Sequence, residues 1–349
     1  MQQKTVKAVM VKGAHDVSVE PQSITWDEEQ VLVRVERGGI CGSDIHYFQH
    51  GKAGMSVLKS PMVLGHEFVG VIEQAPPASG LRAGQHVAIN PSQPCQQCEI
   101  CRSGKQNLCR SMRFMGSAQF FPHVNGGFAQ YVVVNPQQCV PYAEHADAKL
   151  IAFAEPLAVC IHALKQAGNL TGKRVLVTGA GPIGCLIIAA ALVSGATEVI
   201  ATDISERCRA LAMTMGASAA HDPRDEIISA YWATDGGMFD VCFEASGAAA
   251  AIASVVAYTR PAGIIVQLGM GTAEVNYPIG PLLVKEIQLR GSFRFIGEFT
   301  TAVRWLESGK INPLPLLSAE FNMIDVVTAL EMASDKNRAA KVQLTFWQQ

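Results

Sequence analysis

Short stretches in which apolar and polar residues alternate fill the first third of the chain. Glycine, proline and acidic residues bound them, as is typical of short β-strands. We predict strands at residues 6–11, 17–19, 31–36, 68–73, 86–89 and 129–134. Strands at such close spacing favour an antiparallel, partly barrel-like domain that is mainly β.

The pattern changes at Arg174, where apolar strands begin to alternate with apolar helices. The segment 174–205 predicts a strand, a glycine turn, a helix and a second strand that ends at Asp203. Further strands are predicted at residues 239–245, 263–269 and 287–293. Such alternation favours a parallel, doubly wound sheet. A helix at 299–307 and a strand at 340–346 are expected to return the chain to the first domain.

These patterns predict an α/β protein with two domains. A doubly wound parallel Rossmann sheet occupies residues 154–295, and a mainly β domain is formed by residues 1–153 and 296–349. A chain of 349 residues is long enough for two cores. Since 49% of the residues are hydrophobic and 17% charged, the composition is that of a packed globular enzyme.

Charge and hydropathy exclude several kinds of partner. The formal net charge is −2 and basic runs are absent, so no nucleic acid or anionic membrane is expected. The N-terminus lacks the apolar core of a signal peptide, and the apolar run 183–193 is too short to span a bilayer. We therefore expect a cytoplasmic protein, in which the ten cysteines are metal ligands and buried thiols.

Four cysteines form the most specific local motif in the chain, Cys95, Cys98, Cys101 and Cys109. Two-residue gaps bring three thiolates round one turn, and the next seven residues allow the fourth to return. Four sulfur ligands make a closed tetrahedral site, which is the structural form of zinc. An iron–sulfur cluster uses the same four thiolates and remains an alternative.

A second group of candidate ligands lies between residues 38 and 70. Cys41 and His66 are separated by 25 residues, and Glu67 follows directly. Thiolate, imidazole and carboxylate are zinc ligands, and a catalytic zinc keeps one position open. Spacing alone leaves open a buried free cysteine and an unrelated histidine. We expect this segment, which also carries Ser43, to lie in loops between strands.

The segment at Phe153 predicts a helix start, because Pro156 suits the first turn of a helix. Glu155 would then lie at the helix N-terminus, where a negative charge is favourable. Helix capping and zinc ligation are both open roles for this carboxylate.

Gly179, Gly181 and Gly184 form a G-x-G-x-x-G motif between a predicted strand and a predicted helix. In that context the glycines let a pyrophosphate rest on the helix N-terminus, and Asp203 would bind the ribose. Asp203 favours NAD over NADP. Arg207 either offsets part of that preference or lies on a solvated helix face. The predicted dinucleotide site further includes Pro182, Ile183, Ile204 and Gly269.

Taken together, these motifs resemble the zinc-containing medium-chain alcohol dehydrogenase/reductase family. The motif GHE, the four-cysteine lobe, the motif AEP and G-x-G-x-x-G follow in that family's order, and the resemblance covers essentially the whole chain. The segments GGICGSDIHY, KSPMVLGHE and FAEPLAV resemble its sorbitol dehydrogenase branch. The segments MRFMGSAQFFPHVNGGF, LRGSFRF and INPLPLLSAE resemble bacterial enzymes that oxidise L-idonate at C5.

The resemblance implies a GroES-like catalytic domain, two zinc ions per chain, NAD or possibly NADP, and a homo-oligomer, dimer or tetramer. It implies that Cys41, His66 and Glu155 hold the catalytic zinc and that Glu67 is a neighbouring or exchangeable ligand. The four-cysteine lobe would hold the structural zinc.

Three further residues receive roles from the resemblance. Asp44 would orient the ring of His66, as a carboxylate beside a metal ligand commonly does. Ser43 would contact the substrate oxygen, and His46 would continue the path of the proton. Both cofactor and substrate are expected beyond the carboxyl ends of the parallel strands.

The implied reaction moves a hydride between NAD(P) and a secondary alcohol, from L-idonate to 5-keto-D-gluconate. A sorbitol or xylitol dehydrogenase and a threonine-type dehydrogenase are the alternatives within the class. A zinc-free quinone reductase or a non-enzymatic nucleotide-binding protein is the alternative from another class. Candidate substrate contacts are Arg113, His123, Arg294 and Phe295, although a solvated Arg113 and a surface His123 fit the sequence equally well.

Overall fold

The computed structural model describes residues 1–271 and 274–347. Two compact units are present. One comprises Met1–Glu155 together with the segment that begins at Phe299, and the other comprises Pro156–Glu298. Within the described ranges, no helix has the length and apolar character needed to cross a membrane.

The strands, numbered in chain order, are β1 (Gln2–Gly13), β2 (Asp16–Trp26), β3 (Val31–Gly39), β4 (Lys52–Ala53), β5 (Ser56–Val57), β6 (Met62–Val63), β7 (Glu67–Gln74), β8 (His86–Ile89), β9 (Ser92–Gln93), β10 (Arg113–Phe114), β11 (Tyr131–Val134), β12 (Cys139–Pro141), β13 (Arg174–Thr178), β14 (Glu198–Thr202), β15 (Ala219–His221), β16 (Phe239–Glu244), β17 (Thr259–Gln267), β18 (Gln288–Gly291), β19 (Leu317–Asn322) and β20 (Lys341–Thr345).

The α-helices, also in chain order, are α1 (Gly42–His50), α2 (Glu99–Arg102), α3 (Ala148–Ile151), α4 (Ala154–Ala167), α5 (Pro182–Val193), α6 (Glu206–Thr214), α7 (Glu226–Trp232), α8 (Ala249–Tyr258), α9 (Ile279–Val284), α10 (Glu298–Glu307) and α11 (Val326–Ser334).

The first unit is built on a seven-stranded sheet with the order β12-β8-β7-β3-β20-β19, in which β11 also pairs with β3. The pairs within it are antiparallel except β19 with β20, which are parallel. Strand β20 pairs with β3, and Gln343 lies opposite Gly39. The prediction that the last strand returns to the N-terminal part of the chain is therefore confirmed.

The core of this unit lies between the seven-stranded sheet and a three-stranded sheet of order β2-β1-β6. Val9 of β1, Val33 of β3 and Phe128, which precedes β11, are completely buried in it. Burial of this apolar surface is the main force that holds the sheets together. The strands predicted in the first third of the chain all exist, although β1 and β2 are longer than expected.

The second unit contains a six-stranded sheet of order β15-β14-β13-β16-β17-β18, and every neighbouring pair in it is parallel. This is the strand order of dinucleotide-binding α/β folds, in which the ligand lies at the carboxyl edge where the order reverses. The helix α5, which has Leu186 and Ile187 completely buried, follows the first of these strands. The predicted parallel Rossmann sheet is confirmed.

One local prediction is wrong. The segment after Cys41, expected as a loop, forms the helix α1. Asp44 begins it by accepting a hydrogen bond from the backbone N–H of Cys41 at 2.9 Å, and Gly51 ends it at φ +63°. The short apolar stretch of Tyr47 and Phe48 is buried against the core, which supplies the stability that helix propensity alone does not.

Candidate functional site

The ligand atoms of Cys41, His66 and Glu67 all lie within 4.8 Å of one another. Sheet register explains this meeting across 25 residues of sequence. Strand β3 ends at Gly39, directly opposite Glu67, which begins β7. Cys41 and His66 are therefore neighbours in space because each adjoins a paired strand end.

Two glycines are required for this approach. A Cβ atom on Gly39 would collide with Oε2 of Glu67, and one on Gly65 would collide with the ring of Phe128. Gly65 also has φ +94°, a conformation that side chains rarely adopt. The glycines around the two motifs thus make room for the ligands and the core beneath them.

Glu67 is bound by a residue that the sequence did not bring to attention, Lys341 in β20. The Nζ atom of Lys341 lies 2.8 Å and 2.7 Å from the two carboxylate oxygens, and it donates a third hydrogen bond to the carbonyl of Ile40 at 3.1 Å. Both side chains are buried, with 5% and 1% of their surface exposed. Lys341 lies 274 residues after Glu67, in a strand without any motif, so only the fold reveals the pair.

The acidic groups around this cluster exceed the positive charge beside them. Burial and the charge of Glu67 together raise the pKa of the Cys41 thiol to about 12, although Lys341 opposes both effects. Burial likewise raises the pKa of Asp44, and it raises the pKa of Glu155 to about 8. Three buried carboxylates and a thiol beside a lysine form a donor set that fits a divalent cation.

Glu155 is the second residue of α4, as the proline pattern predicted, and it is 6% exposed. Its carboxylate lies outside the set of atoms within 4.8 Å, but its charge interacts with those of His66, Glu67 and Cys41. Among the described residues it has neither a hydrogen-bond donor nor an ion-pair partner. Its carboxylate is therefore available to a cation at this site.

Asp44 does not make the contact that was expected with His66. Its two oxygens accept the backbone N–H groups of Cys41 at 2.9 Å and of Gly65 at 3.2 Å. Nδ1 of His66 is buried without a hydrogen-bond partner in the described part of the chain, and its ring packs 5.5 Å from that of Phe114. Asp44 thus fixes the backbone beside both ligands rather than the imidazole itself.

Ser43 and His46 lie one turn apart on α1, so they share a face of the helix. The Ser43 hydroxyl is buried, and no hydrogen-bond partner for it exists within residues 1–271 and 274–347. His46 is exposed, and burial of its ring, followed by the charges of His50 and Lys336, lowers its pKa. The buried hydroxyl of Ser43 is thus followed, one turn along α1, by the titratable ring of His46, which is exposed to solvent.

The four cysteines of the lobe also come together. Their sulfur atoms lie within 4.8 Å of one another, with Cys95 to Cys101 at 3.9 Å and Cys98 to Cys109 at 4.0 Å. Sulfurs at the corners of a tetrahedron round zinc would be separated by about 3.8 Å, since the Zn–S distance is about 2.3 Å. The lobe therefore has the size of a closed four-sulfur zinc site.

Backbone N–H groups point at these sulfurs and favour their charged form. The N–H of Cys98 donates to Cys95, and that of Cys101 donates to Cys98, at 3.4 and 3.5 Å. The hydrogen bond from Cys101 lowers the pKa of the Cys98 thiol to about 6. Gln96, at φ +60°, supplies the sharp turn between the first two ligands.

The second candidate site lies at the carboxyl edge of the parallel sheet. Gly179 follows β13 at φ +85°, and Gly184 packs so closely against its carbonyl that a Cβ atom there would collide with it. Gly181 caps α5, has open space where a Cβ would be, and provides no side chain to occupy the helix N-H groups. Pro182 and Ile183 form the first turn of α5. This backbone leaves the helix N-terminus open to a phosphate.

Asp203 follows β14, as predicted, and its oxygens accept the N–H groups of Ala180 and Ser205 at 2.8 Å each. A carboxylate can accept about four hydrogen bonds, so capacity for ribose hydroxyls remains. Ile204 is 67% exposed beside it, and Arg207 lies in the first turn of α6. Gly269, just beyond β17, approaches Gly247 too closely to carry a side chain.

Glu244 is a second residue that the sequence analysis missed. It is completely buried at the carboxyl end of β16 and accepts the N–H groups of Ser246 at 2.9 Å and Gly247 at 3.1 Å. The amide of Gln267 donates to its other oxygen at 2.6 Å. Ser246 in this loop packs against Gly179, so Glu244 helps to hold the glycine turn in place.

Two of the candidate substrate contacts are engaged with backbone groups of the first unit. Arg113 and Phe114 point to opposite faces of β10, and it is Phe114 that faces His66. Nη1 of Arg113 donates to the carbonyl of Pro122 at 2.9 Å. Nε2 of His123 accepts the N–H of Lys59 at 2.8 Å, and Nδ1 lies 2.9 Å from the carbonyl of Phe120.

The other two candidates follow β18 in the second unit. Arg294 has φ +54°, and its guanidinium lies 4.8 Å from the centre of the Phe293 ring. Phe295 is 1% exposed. Two adjacent residues thus combine a constrained cation with a buried aromatic ring.

Comparison with known proteins identifies the family to which the chain belongs. The alcohol dehydrogenase GroES-like domain matches residues 27–144, and the zinc-binding dehydrogenase domain matches residues 182–308. L-idonate 5-dehydrogenase (NAD(P)(+)) of Escherichia coli K12 is 51% identical over 99% of this chain and 100% of its own length. D-xylulose reductase A of Aspergillus oryzae is 37% identical over 92% of this chain and 91% of its own length.

Solved structures give the same relationship. The crystal structure of L-idonate 5-dehydrogenase from Escherichia coli has a TM-score of 0.97 at 50% identity and covers 99% of each chain. A zinc-binding dehydrogenase from Sinorhizobium meliloti, bound to NADP, has a TM-score of 0.90 at 29% identity over 98% of this chain and 100% of that one. The chain belongs to the zinc-binding dehydrogenases with a GroES-like domain. The family and the enzyme class expected from the motifs are confirmed.

Proposed function

We propose that this dehydrogenase oxidises L-idonate at C5 to 5-keto-D-gluconate, with NAD or NADP as hydride acceptor. The observation that carries the proposal is the 51% identity to an L-idonate 5-dehydrogenase across the full length of both chains. The donor set around Cys41 and the open helix N-terminus at Gly181 support it, since both kinds of site are needed for the reaction.

The catalytic zinc is held by Cys41, His66 and Glu155. Glu67 lies nearer to the first two, but its carboxylate is bound by Lys341, whereas Glu155 has no hydrogen-bond or ion-pair partner among the described residues. Glu67 serves as an alternative ligand when it leaves Lys341. The structural zinc is held by the four-cysteine lobe, which gives two zinc ions per chain.

Zinc, when bound, supplies a Lewis acid for the substrate oxygen, and the nicotinamide supplies the hydride acceptor. The residues of the chain handle the proton. The Ser43 hydroxyl is buried and has no hydrogen-bond partner within the described ranges, so we propose that it accepts the proton of the substrate hydroxyl and releases its own toward His46 as the hydride leaves the adjacent carbon. His46, exposed on the next turn, passes that proton to solvent.

L-Idonate carries a carboxylate that neutral polyols lack, and this group requires a cation or several donors. Arg294 is the proposed partner, together with the ring of Phe295 as a wall of the substrate site. The guanidinium of Arg113 is engaged with Pro122 and both nitrogens of His123 face backbone groups, so these two act by shaping the loop. Arginine suits a carboxylate because its planar fork donates two parallel hydrogen bonds.

Oxidation of xylitol or sorbitol is the second candidate. The 37% identity to D-xylulose reductase A favours it, since that enzyme's name places it among the polyol-related dehydrogenases. The same zinc ligands and proton path serve either substrate. The two candidates differ only in whether a carboxylate must be bound.

The protein is further proposed to be cytoplasmic and homo-oligomeric. Ten cysteines without a disulfide, four of them placed for zinc, suit a reducing compartment. In the second unit β18 ends the six-stranded sheet, and Ile279, Leu283 and Val284 of the nearby α9 are 68–82% exposed. An edge strand beside exposed apolar side chains suits pairing with a second copy. Light scattering on the purified protein tests for a dimer or tetramer.

The experiment that tests the function is a comparison of kcat/KM for L-idonate, sorbitol, xylitol and L-threonine, each with NAD and with NADP. We expect L-idonate to exceed each other substrate by roughly tenfold or more, the discrimination available from one charge-assisted contact. A higher kcat/KM for sorbitol or xylitol would contradict the proposal and favour the polyol alternative.

A further inference from the structure

Two aspartates lie side by side at the carboxyl edge of the parallel sheet. Strands β14 and β15 are parallel with Thr202 opposite His221, so Asp203 and Asp222 follow neighbouring strand ends. The N–H of Asp203 donates to the carbonyl of His221 at 3.2 Å. Asp203 is the ribose-binding carboxylate of the proposed function, whereas Asp222 has no role in it.

Two arginines converge on Asp222. Nη1 of Arg209 lies 3.2 Å from Oδ2, and Arg224 makes a bidentate pair in which Nε is 2.8 Å from Oδ1 and Nη2 is 2.5 Å from Oδ2. The backbone N–H of Arg224 also donates to Oδ1 at 3.0 Å. These contacts hold the pKa of Asp222 below its ordinary value, so it is a carboxylate throughout the working range of pH.

Arg209 also reaches the strand end that would carry the ribose. The same Nη1 atom donates to the main-chain carbonyl of Asp203 at 2.7 Å. Both bonds use Nη1, so Nε and Nη2 are left without an acceptor in the part of the chain that the structure describes. In dinucleotide folds, an arginine near the ribose carboxylate is what accommodates the 2′-phosphate of NADP.

We propose that Asp222 is the internal counter-ion of a latent 2′-phosphate site formed by Arg209 and Arg224, and that it thereby sets the preference for NAD over NADP. The inference rests on the proposed dinucleotide function. The Asp222 carboxylate occupies the arginine donors that phosphate oxygens would take, and its charge repels a 2′-phosphate. The two arginines offset part of that repulsion, so NADP is admitted weakly rather than excluded.

The test replaces the carboxylate by an amide of the same shape, Asp222→Asn. The remaining carbonyl oxygen still accepts from one arginine, so the loop keeps its form while the charge is lost. Calorimetry on the zinc-loaded, full-length protein gives the Kd for 2′,5′-ADP and for 5′-AMP, two fragments that differ only in the 2′-phosphate. We expect the Kd for 2′,5′-ADP to fall roughly tenfold and that for AMP to stay within about twofold. The NADP-to-NAD ratio of kcat/KM should rise by a similar factor.

Two further variants separate this effect from a general change of charge. Asp240→Asn removes an aspartate that pairs with Arg260 at 2.8 Å and Lys173 at 3.7 Å, near the opposite end of the same sheet. It should leave both Kd values unchanged. Adding Arg209→Gln to Asp222→Asn should cancel the gain in 2′,5′-ADP binding, because the guanidinium that receives the phosphate is gone.

An unchanged Kd for 2′,5′-ADP in Asp222→Asn, or an equal gain for both fragments, would overturn the proposal. Should Asp222→Asn fail to fold, Arg224→Gln gives the reciprocal test, since this side chain is 73% exposed. It should weaken 2′,5′-ADP roughly fivefold and leave AMP unaffected, and the absence of that difference would also overturn the proposal. If the wild type binds neither fragment, the dinucleotide function itself fails. If AMP binds but 2′,5′-ADP responds to none of these changes, only the counter-ion role of Asp222 fails.

Discussion

Lys341 and Glu67 form an ion pair in which both side chains are almost completely buried, beside two candidate zinc ligands. The lysine contacts both oxygens of the carboxylate. It also contacts the carbonyl of Ile40, two residues before α1 begins at Gly42. This arrangement holds the carboxylate of Glu67 on one side of the site. Glu155, which has no ion-pair partner among the described residues, is the carboxylate that we propose as the third ligand beside Cys41 and His66.

Removing the lysine should therefore leave a buried, unpaired carboxylate. We expect Lys341→Met to lower the free energy of unfolding by about 3–5 kcal/mol, as when one partner of a buried pair is lost. Adding Glu67→Gln should restore part of this loss, because the uncompensated charge disappears. Urea unfolding of the four proteins in the double-mutant cycle gives the coupling energy. Lys12→Met, which removes a partly exposed pair with Glu20, is the control and should change stability much less.

Ser43→Ala should lower kcat for alcohol oxidation by roughly a hundredfold or more, since it removes the hydroxyl that receives the proton. Zinc content and cofactor binding should be unaffected, because Ser43 is not among the ligands. Steady-state kinetics with metal analysis on the same samples checks this. A variant that retains full kcat would exclude Ser43 from the proton path.

The acid limb of the kcat profile for alcohol oxidation should report His46. This histidine accepts a proton only in its neutral form, and its pKa lies below the ordinary value of 6.5, so the limb should lie below pH 6.5. His46→Gln should remove the limb. The neighbouring His50, with its ring 5.8 Å away, contributes to the lowered pKa, so His50→Gln should keep the limb and move it to higher pH.

Arg294→Ala should reduce kcat/KM for L-idonate by roughly tenfold or more while sorbitol is affected much less, because only L-idonate has a carboxylate to lose its partner. Arg113→Ala is the matched control. Its guanidinium is engaged with Pro122, so both substrates should change together. Equal losses on both substrates in Arg294→Ala would remove the carboxylate role of Arg294.

The carboxylate of Glu298 should make the free energy of unfolding of the second unit depend on pH in the acid range. Burial by itself raises the pKa of this carboxyl, but hydrogen bonds from His162, Lys165 and the N–H of Ile296 outweigh that effect and lower it from 4.5 to about 2. A lowered folded-state pKa contributes stability above the unfolded value, and that contribution is lost as the pH falls toward 2. We expect Glu298→Gln to cost about 1.5–3 kcal/mol at pH 7, the range for hydrogen bonds to a charged group.

The wild type and Glu298→Gln should differ in unfolding free energy by the full amount above about pH 4.5. This difference should become smaller as the pH falls below that value. Chemical unfolding measured between pH 3 and 7 tests this window. Glu331→Gln, at an exposed position on α11, is the control and should show no such convergence. A difference that stays constant between pH 3 and 7 would contradict the lowered folded-state pKa of Glu298.

The sequence predicted those parts of the fold that depend on local pattern. The period of two marked the strands of the first unit, and the strand–glycine–helix–strand–Asp unit marked the parallel sheet because each residue there has a local geometric task. Ligand motifs with short spacing were also readable, as in the lobe from Cys95 to Cys109. Glu155 was recognised only through its helix position and a family resemblance.

The features that escaped prediction depend on contacts between distant segments. Lys341 lies in an ordinary strand, and only the pairing of β20 with β3 brings it to Glu67. The helix α1 has a weak apolar pattern and forms because Asp44 caps it and Tyr47 is buried. The same aspartate was expected to bind His66, whereas the register of β3 and β7 directs it to two backbone amides. Periodicity cannot report such relationships.

Zinc content per chain tests the central claim most directly, because the account requires two sites with separate roles. Elemental analysis should find two zinc ions in the wild type and one in each of Cys98→Ser and Cys41→Ser. Cys98→Ser should also be less stable, since structural zinc contributes folding free energy, while Cys41→Ser should stay folded and bind NAD with almost no turnover. Fully active wild-type enzyme that contains no zinc, or a Cys41→Ser variant that retains both ions, would contradict the account.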